Sequence, residues 1–278
     1  MTLFSSRFAA IDIGSNAVRL LLMEVFDTDI GPYFRKISLI RMPIRLGKDA
    51  FIMGDISSGN IERLVDTIQG FQHLVRAYRP VDFRACATSA MRESSNGAKI
   101  QHRIRKETGV AVEIISGKQE AKIIFANKPW NHLSSNGAWL YVDVGGGSTE
   151  ITIFSNGTTH SHSFDIGTIR MIEGLVRPSQ WKEMRAWIKK HTFKFSRISA
   201  IGSGGNINKI IKLAKHSDGR SITLSKMKKV KGCLKSYSLD DRIVKLGLKP
   251  DRADVIVPAL TIYTSVCRRS AWRTDWFA

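Results

Sequence analysis

Acidic residues are the scarce class in this 278-residue chain: 24 Asp and Glu stand against 43 Lys and Arg, for a formal charge of +19. Such a balance implies affinity for polyanions (nucleic acid, an anionic lipid surface, or a phosphate-rich small molecule or polymer), while part of it serves only as a solvated face. Cysteine is scarcer still. Cys86, Cys233 and Cys267 are odd in number, widely separated and without CxxC spacing. That pattern excludes a disulfide framework and a self-contained zinc site, and fits a reducing cytosol. No uninterrupted apolar run reaches the roughly 18 residues of a membrane span. The opening "MTLFSSRFAAIDIGS" arrives at a site-like motif by residue 12, so no signal peptide is expected. The chain therefore reads as cytoplasmic, with no membrane partner.

Glycine, by contrast, is concentrated where strands end. "LYVDVGGGSTEITIF" (140–154) runs from an apolar strand through an aspartate and three glycines into a hydroxyl pair, a glutamate and a second strand. A bend needs one or two glycines, so the excess points to something approaching the backbone closely. "FAAIDIGSNAVRLLLMEVF" (8–26) has the same plan, and the shared core is Asp-x-Gly followed by small polar residues. This is an internal repeat on the scale of a domain, each copy opening one lobe with its turn facing a cleft.

Between and after the repeats, strands alternate with helices. Residues 58–79 carry Ile61, Leu64, Val65, Ile68, Phe71, Leu74, Val75 and Tyr78 at helical spacing, with Pro80 beyond the end. "VDFRACAT", "VAVEIIS" and "RISAIG" read as strands; "NGAKIQHRIRKETG", "GKQEAKIIFAN", 179–191 and "NINKIIKLAK" read as helices. The expected fold is α/β, with mixed sheets flanked by helices in two domains, 1–125 and 126–278. The Lys-, Ser- and Gly-rich stretch 215–240 reads as a surface excursion.

Three glycine-rich turns follow strands: Gly14-Ser15-Asn16, Gly145-Gly146-Gly147-Ser148-Thr149 and Gly202-Ser203-Gly204-Gly205-Asn206. Successive N–H groups at such turns form an anion nest, and Ser or Thr hydroxyls add donors; one such turn alone is equally a tight hairpin. Carboxylates beside a phosphate cradle repel its ligand unless a cation intervenes. Asp12, Asp143 and Glu150 thus suggest Mg²⁺ or another divalent cation, which takes one or two carboxylates and completes its shell with water and phosphate oxygens. Otherwise the aspartates bond nearby backbone amides and Glu150 faces solvent.

Taken in order, "IDIGSNAVRL", "RLG" (45–47), "TSAMRESSN", "EIISGKQEA", "DVGGGSTE", "GTIRM", "IGSGGNI" and "RADVIVPA" resemble the exopolyphosphatase / guanosine pentaphosphate phosphohydrolase (Ppx/GppA) family, within the actin, Hsp70 and sugar-kinase-like superfamily. The resemblance implies two actin-like (ribonuclease H-like) domains with a cleft between them. It implies release of terminal orthophosphate from linear polyphosphate or guanosine pentaphosphate, with Mg²⁺ assisting an in-line water. Carried onto this sequence, Gly14, Ser15 and Asn16 form one phosphate loop and Gly145, Gly146, Gly147 and Ser148 the other. Arg92 becomes a phosphate-binding arginine, Glu120 the catalytic base, and Asp143 and Glu150 the metal-associated carboxylates. Spacing alone does not choose Glu120 over Glu113. The resemblance also suggests a homodimer, and gives no specific nucleic-acid partner.

Gln119, Ser94, Asn206 and Ala259 depart from residues frequent in the family, and none removes a proposed catalytic group. Past "RADVIVPA" the family continues with a strand, a turn and a helix, whereas this chain ends in "CRRSAWRTDWFA", so the second lobe is expected to lack closing elements. Lys209, Lys212 and Lys215 recur at helical spacing, as a polyanion stripe or a solvated face. Two rival functions remain: an ATP-dependent kinase with the third glycine turn holding adenosine, and a non-catalytic polyanion or nucleotide sensor.

Overall fold

The computed structural model describes residues 4–126, 138–155, 158–195, 198–214, 221–266 and 275–277. They fall into two compact units that divide between Ser116 and Gly117.

The first unit opens with three antiparallel strands, β1 (Ser5–Ile13), β2 (Val18–Thr28) and β3 (Gly31–Met42). Helices α1 (Leu46–Met53) and α2 (Ser58–Tyr78) lead to β4 (Asp82–Ala87), followed by α3 (Ser89–Glu93), α4 (Gly97–Thr108) and β5 (Val112–Ile114). The sheet order is β3-β2-β1-β4-β5, with β4 parallel to both β1 and β5. Alternation decides the faces. Ala9, Ile11 and Ile13 are buried on β1 with Val18, Leu20 and Leu22 on β2, while Asp12 and Arg19 share the opposite face. Helix α2 lays Leu64, Val65, Ile68, Phe71 and Val75 into the same core, each burial contributing about 1.5–3 kcal/mol. Leu74, one position off that stripe, is exposed. The helix stops where Arg79 turns left-handed at φ 53 ahead of Pro80.

The second unit begins with α5 (Gly117–Phe125), nine residues before the boundary expected at 125. This helix packs on the second sheet, and it packs closely: a Cβ at Gly117 would stand 2.8 Å from Ser163. The sheet's antiparallel core is β6 (Ala138–Val144), β7 (Thr149–Ser155) and β8 (Thr158–Phe164). Next come α6 (Thr168–Ile172), α7 (Pro178–Thr192), β9 (Ile198–Ser203), α8 (Gly204–Leu213), β10 (Ser221–Thr223), α9 (Leu224–Ser236), α10 (Leu239–Val244), α11 (Pro250–Ala253), α12 (Ile256–Val266) and β11 (Asp275–Phe277). The order is β10-β11-β9-β6-β7-β8, with β9 parallel to β6. The two sheets flanked by helices match the expected α/β class. Helix α12 is buried nearly all round, through Ile256, Ala259, Leu260, Ile262 and Tyr263, and forms the centre of this core.

Two expectations change here. The 215–240 stretch is not a surface excursion where it is described: 224–236 form α9, anchored by buried Met227 and Leu234 against α12. Nor does the second sheet lack a closing strand. The chain end returns as β11, inserted parallel to β9 and antiparallel to β10. Its composition, Asp-Trp-Phe after a basic run, carried no alternation long enough to read as a strand.

Candidate active site

Both repeats close in the same turn. In the first unit the Gly14 amide donates to the Ala17 carbonyl at 3.2 Å; in the second the Gly145 amide donates to the Ser148 carbonyl at 2.9 Å. A Cβ on either glycine would stand 3.1 Å from that same carbonyl oxygen, so each turn is tightest where its glycine enters.

What the turns present depends on what holds their carbonyls. In the second unit the Thr168 amide donates to the Gly145 carbonyl at 3.0 Å, the Ile169 amide to Gly146 at 2.9 Å, and Arg170 Nε to Gly147 at 2.7 Å. In a trans peptide the C=O and the following N–H point in opposite directions. Three successive carbonyls drawn to one side therefore turn the amides of Gly146, Gly147 and Ser148 to the other, which is the arrangement of an anion nest. Gly167 makes this approach feasible, because a Cβ there would overlap the Gly146 carbonyl.

The first unit repeats the device. The Gly47 amide donates to the Ser15 carbonyl at 2.8 Å and the Arg45 amide to Asn16 at 3.2 Å, which turns the Asn16 and Ala17 amides outward. A Cβ on Gly47 would stand 2.8 Å from that of Ser15. Arg45 itself sits left-handed at φ 64, a strain of about 1–2 kcal/mol for a non-glycine residue, held by its surroundings. Ser15 is buried with its Oγ 2.8 Å from that of Ser89, and Ser148 is buried too.

The carboxylates separate by unit. Asp12 pairs in register with Arg19, and the two side chains form a half-exposed ion pair. Asp143, its counterpart, pairs in register with Glu150 on β7 and with Ser203 on β9. Glu150 pairs onward with Ser163 on β8. One row across the sheet thus reads Ser203, Asp143, Glu150, Ser163. The Ser203 hydroxyl donates to Asp143, and the Ser163 hydroxyl donates to Glu150 Oε1 at 2.8 Å. Glu150 does not face solvent: it is 3% exposed. Side chains directly opposed on antiparallel strands lie about 4.5–5.5 Å apart at Cβ, and like charges there destabilise. Two oxygen donors, each steadied by a serine, are a suitable pair for a hard divalent cation. Among the described residues no group of three or more His, Cys, Asp and Glu converges as a metal site.

Glu120 lies in the first turn of α5, half-buried, on the helix whose first residue abuts Ser163 of that row. Glu113, the alternative that spacing left open, is on β5 with its carboxylate 2.7 Å from Arg84, and both are about half exposed. It serves a cross-strand ion pair. Arg92 lies on α3 in the first unit, where Nη1 donates to the Ile115 carbonyl at 2.9 Å, and the same short helix carries Ser89 to the Gly14–Asn16 turn. The first unit therefore gathers Asp12, Gly14, Ser15, Asn16 and Arg92. The second gathers Asp143, Gly145, Gly146, Gly147, Ser148 and Glu150, with the helix of Glu120 beside them.

Behind Asp143 stands a tyrosine pair. The fully buried Tyr263 donates its hydroxyl to the Ser203 carbonyl at 3.2 Å. Burial, reinforced by the Asp143 charge and Tyr141, pushes its phenol well above the ordinary value. Tyr141, on the Asp143 face of β6, is raised as well, chiefly by burial. No signal in the sequence pointed to Arg19, Ser163, Tyr263 or the task of "GTIRM", and Ser203, expected in an anion-binding turn, donates to Asp143 instead.

The third glycine turn has packing reasons for its composition. Gly202 abuts Ile207, Gly204 adopts φ 88 beside Asp143, and Gly205 makes room for the Arg252 guanidinium. Of the lysine stripe, Lys209 reaches the Leu246 carbonyl at 3.5 Å and Lys212 is exposed; Lys215 lies outside the described residues. No helix among the described residues is long and apolar enough to cross a membrane.

Comparison with known proteins identifies the family. The profile of the Ppx/GppA phosphatase family matches residues 25–269. Exopolyphosphatase 1 of Mycobacterium tuberculosis is 33% identical over 147 residues, covering 52% of this chain and 42% of that protein. The guanosine-5'-triphosphate,3'-diphosphate pyrophosphatase of Aeromonas hydrophila is 23% identical over 277 residues, covering 94% of this chain and 55% of that protein. The chain thus spans about half the length of the curated relatives it matches. Among solved structures, an exopolyphosphatase from Cytophaga hutchinsonii shares the fold with a TM-score of 0.78 at 22% identity, over 98% of this chain and 94% of that one. With the profile covering most of its length, and with the repeated turns, the opposed carboxylates and the fold all in place, the chain belongs to the Ppx/GppA phosphatase family.

Proposed function

We propose that the chain is a phosphoanhydride hydrolase releasing terminal orthophosphate from linear polyphosphate, from guanosine pentaphosphate, or from both. One observation carries this reading: the outward-turned amides of Gly146, Gly147 and Ser148 sit at the end of the strand pair that opposes Asp143 and Glu150. The names of its relatives, exopolyphosphatase and guanosine-5'-triphosphate,3'-diphosphate pyrophosphatase, support it.

Phosphoryl transfer to water passes through a loose transition state, so catalysis is mostly positioning and charge stabilisation. The nest amides are fixed donors that need no reorganisation as charge develops on the phosphoryl oxygens. Asp143 and Glu150 are the residues that would hold Mg²⁺, which when bound neutralises phosphate charge. Ser203 and Ser163 orient these two carboxylates. Glu120 accepts the proton of the attacking water as the new P–O bond forms and the anhydride P–O bond breaks. Arg92 supplies a guanidinium for substrate phosphate. The kinase alternative draws no support from the third glycine turn, whose glycines have packing roles.

The test is orthophosphate release from polyphosphates of several lengths and from guanosine pentaphosphate, with and without Mg²⁺, in the parent and in Glu120→Gln. The variant is expected to lose about 10²–10⁴-fold in turnover while still binding substrate. Near-normal release would remove Glu120 from its role. Binding without release by the parent, Mg²⁺ present, would favour the sensor reading.

A further inference from the structure

Helix α9 reads "LSKMKKVKGCLKS", with five lysines and no acidic residue. Met227 and Leu234 anchor one side to the core; Ser225, Lys228, Lys229, Gly232, Cys233, Lys235 and Ser236 are exposed on the other. Among the described residues no carboxylate forms an ion pair with Lys228, Lys229 or Lys235. A face of unpaired like charges repels itself, and helices ordinarily relieve this with acids three or four residues away; α9 has none.

Gly232 is the second observation. It occupies the middle of this helix at ordinary φ, and a Cβ there would meet nothing within 4 Å. Neither packing nor backbone conformation requires glycine at a position where it weakens a helix. What its missing side chain provides is a low point between Lys229 and Lys235, where an extended ligand can lie against the helix with ammonium groups on both sides. Lys228 and Lys235 are seven residues apart, about 10 Å along the axis, so several linked phosphates can lie between them. The exposed face offers neither an aromatic ring for base stacking nor an arginine fork. Bare phosphate suits it better than nucleic acid.

We infer that the exposed face of α9 is a docking surface for the distal part of a linear inorganic polyphosphate chain, an inference that rests on the substrate class proposed above. The experiment reads binding apart from turnover. Long-chain inorganic polyphosphate, tripolyphosphate and single-stranded RNA are titrated into Glu120→Gln with and without Lys228→Glu, Lys229→Glu and Lys235→Glu, at several salt concentrations. The triple reversal should weaken long-chain polyphosphate by at least roughly tenfold and lower its salt dependence, with tripolyphosphate binding and the melting temperature unchanged. Gly232→Ala should raise the melting temperature and still weaken the long chain. Unchanged long-chain affinity in the triple variant overturns the docking surface, as does an equal loss for tripolyphosphate, or RNA binding as tightly as polyphosphate with the same loss. If the parent releases no phosphate yet the long chain binds through these lysines, the hydrolase reading fails and the surface stands.

Discussion

Gly167→Ala isolates the claim that residues 167–170 set the direction of the Gly145–Ser148 turn. The added methyl falls onto the Gly146 carbonyl and the carbonyl carbon of Gly147, with no flexible side-chain end to yield. Restoring an ordinary contact of about 3.5 Å requires the turn or the buttress to move by about 1 Å. Such a shift in positioning groups costs about 100-fold, or about 2.7 kcal/mol of transition-state stabilisation. Overpacking itself costs roughly 1–3 kcal/mol of stability, and each kcal/mol lowers Tm by about 2–4 °C in a domain of this size. The assay is kcat/KM for orthophosphate release alongside Tm. Gly59→Ala in α2, where a Cβ meets nothing within 4 Å, is the control and should leave turnover intact with Tm unchanged or slightly raised. Parent-like turnover and Tm in Gly167→Ala would refute the buttress. An equal loss in Gly59→Ala would show the effect to be general rather than local.

Two further outcomes are expected. Mg²⁺ should raise the parent's Tm, and Asp143→Asn should lose most of that rise. Asp12→Asn should keep it at a stability cost below about 1 kcal/mol, because its half-exposed pair with Arg19 is a surface ion pair; equal losses would contradict the division of labour between the repeats. Tyr263→Phe removes one hydrogen bond to the Ser203 carbonyl and should cost about 1 kcal/mol at neutral pH. The Tyr263 phenol is raised in the fold, so its stabilising contribution is complete below the unfolded value near 10 and is lost as pH climbs beyond it. Urea titrations above pH 10 should therefore fall less steeply for the Phe variant, with Tyr141 and Tyr78, both raised chiefly by burial, contributing to the remaining slope; identical slopes would sink the linkage.

Where burial imposes a period, the sequence could be read directly. The α2 stripe, the β1 and β6 alternations and the left-handed Gly109 ending α4 all follow from local rules. The failures share a different cause. Helix α9 hid because its lysines outnumber its anchors, and only Met227 and Leu234 are fully buried, with Leu224 and Val230 partly buried against the core. Strand β11 hid because three residues form no pattern, and its place comes from neighbours far along the chain. Helix α5 joins the second unit because Gly117 admits it to Ser163, a contact between residues that no local window spans.

The site divides along the same line. Turn glycines announce close approach, but not from which side, and no spacing in "GTIRM" says that its amides will take the carbonyls of Gly145 and Gly146 and so aim three donors the other way. The pairing of the carboxylates is more legible in the sequence. A turn closed between Gly14 and Ala17 fixes Ile13 opposite Val18, and therefore Asp12 opposite Arg19. The same count from Gly145 and Ser148 puts Asp143 opposite Glu150. Since pleating sends directly opposed residues to one face, hairpin register alone tells the two repeats apart: one aspartate meets a guanidinium that satisfies it, the other a second carboxylate that leaves negative charge to be balanced from outside the pair. The repeats kept a common turn while their cross-strand partners diverged in sign.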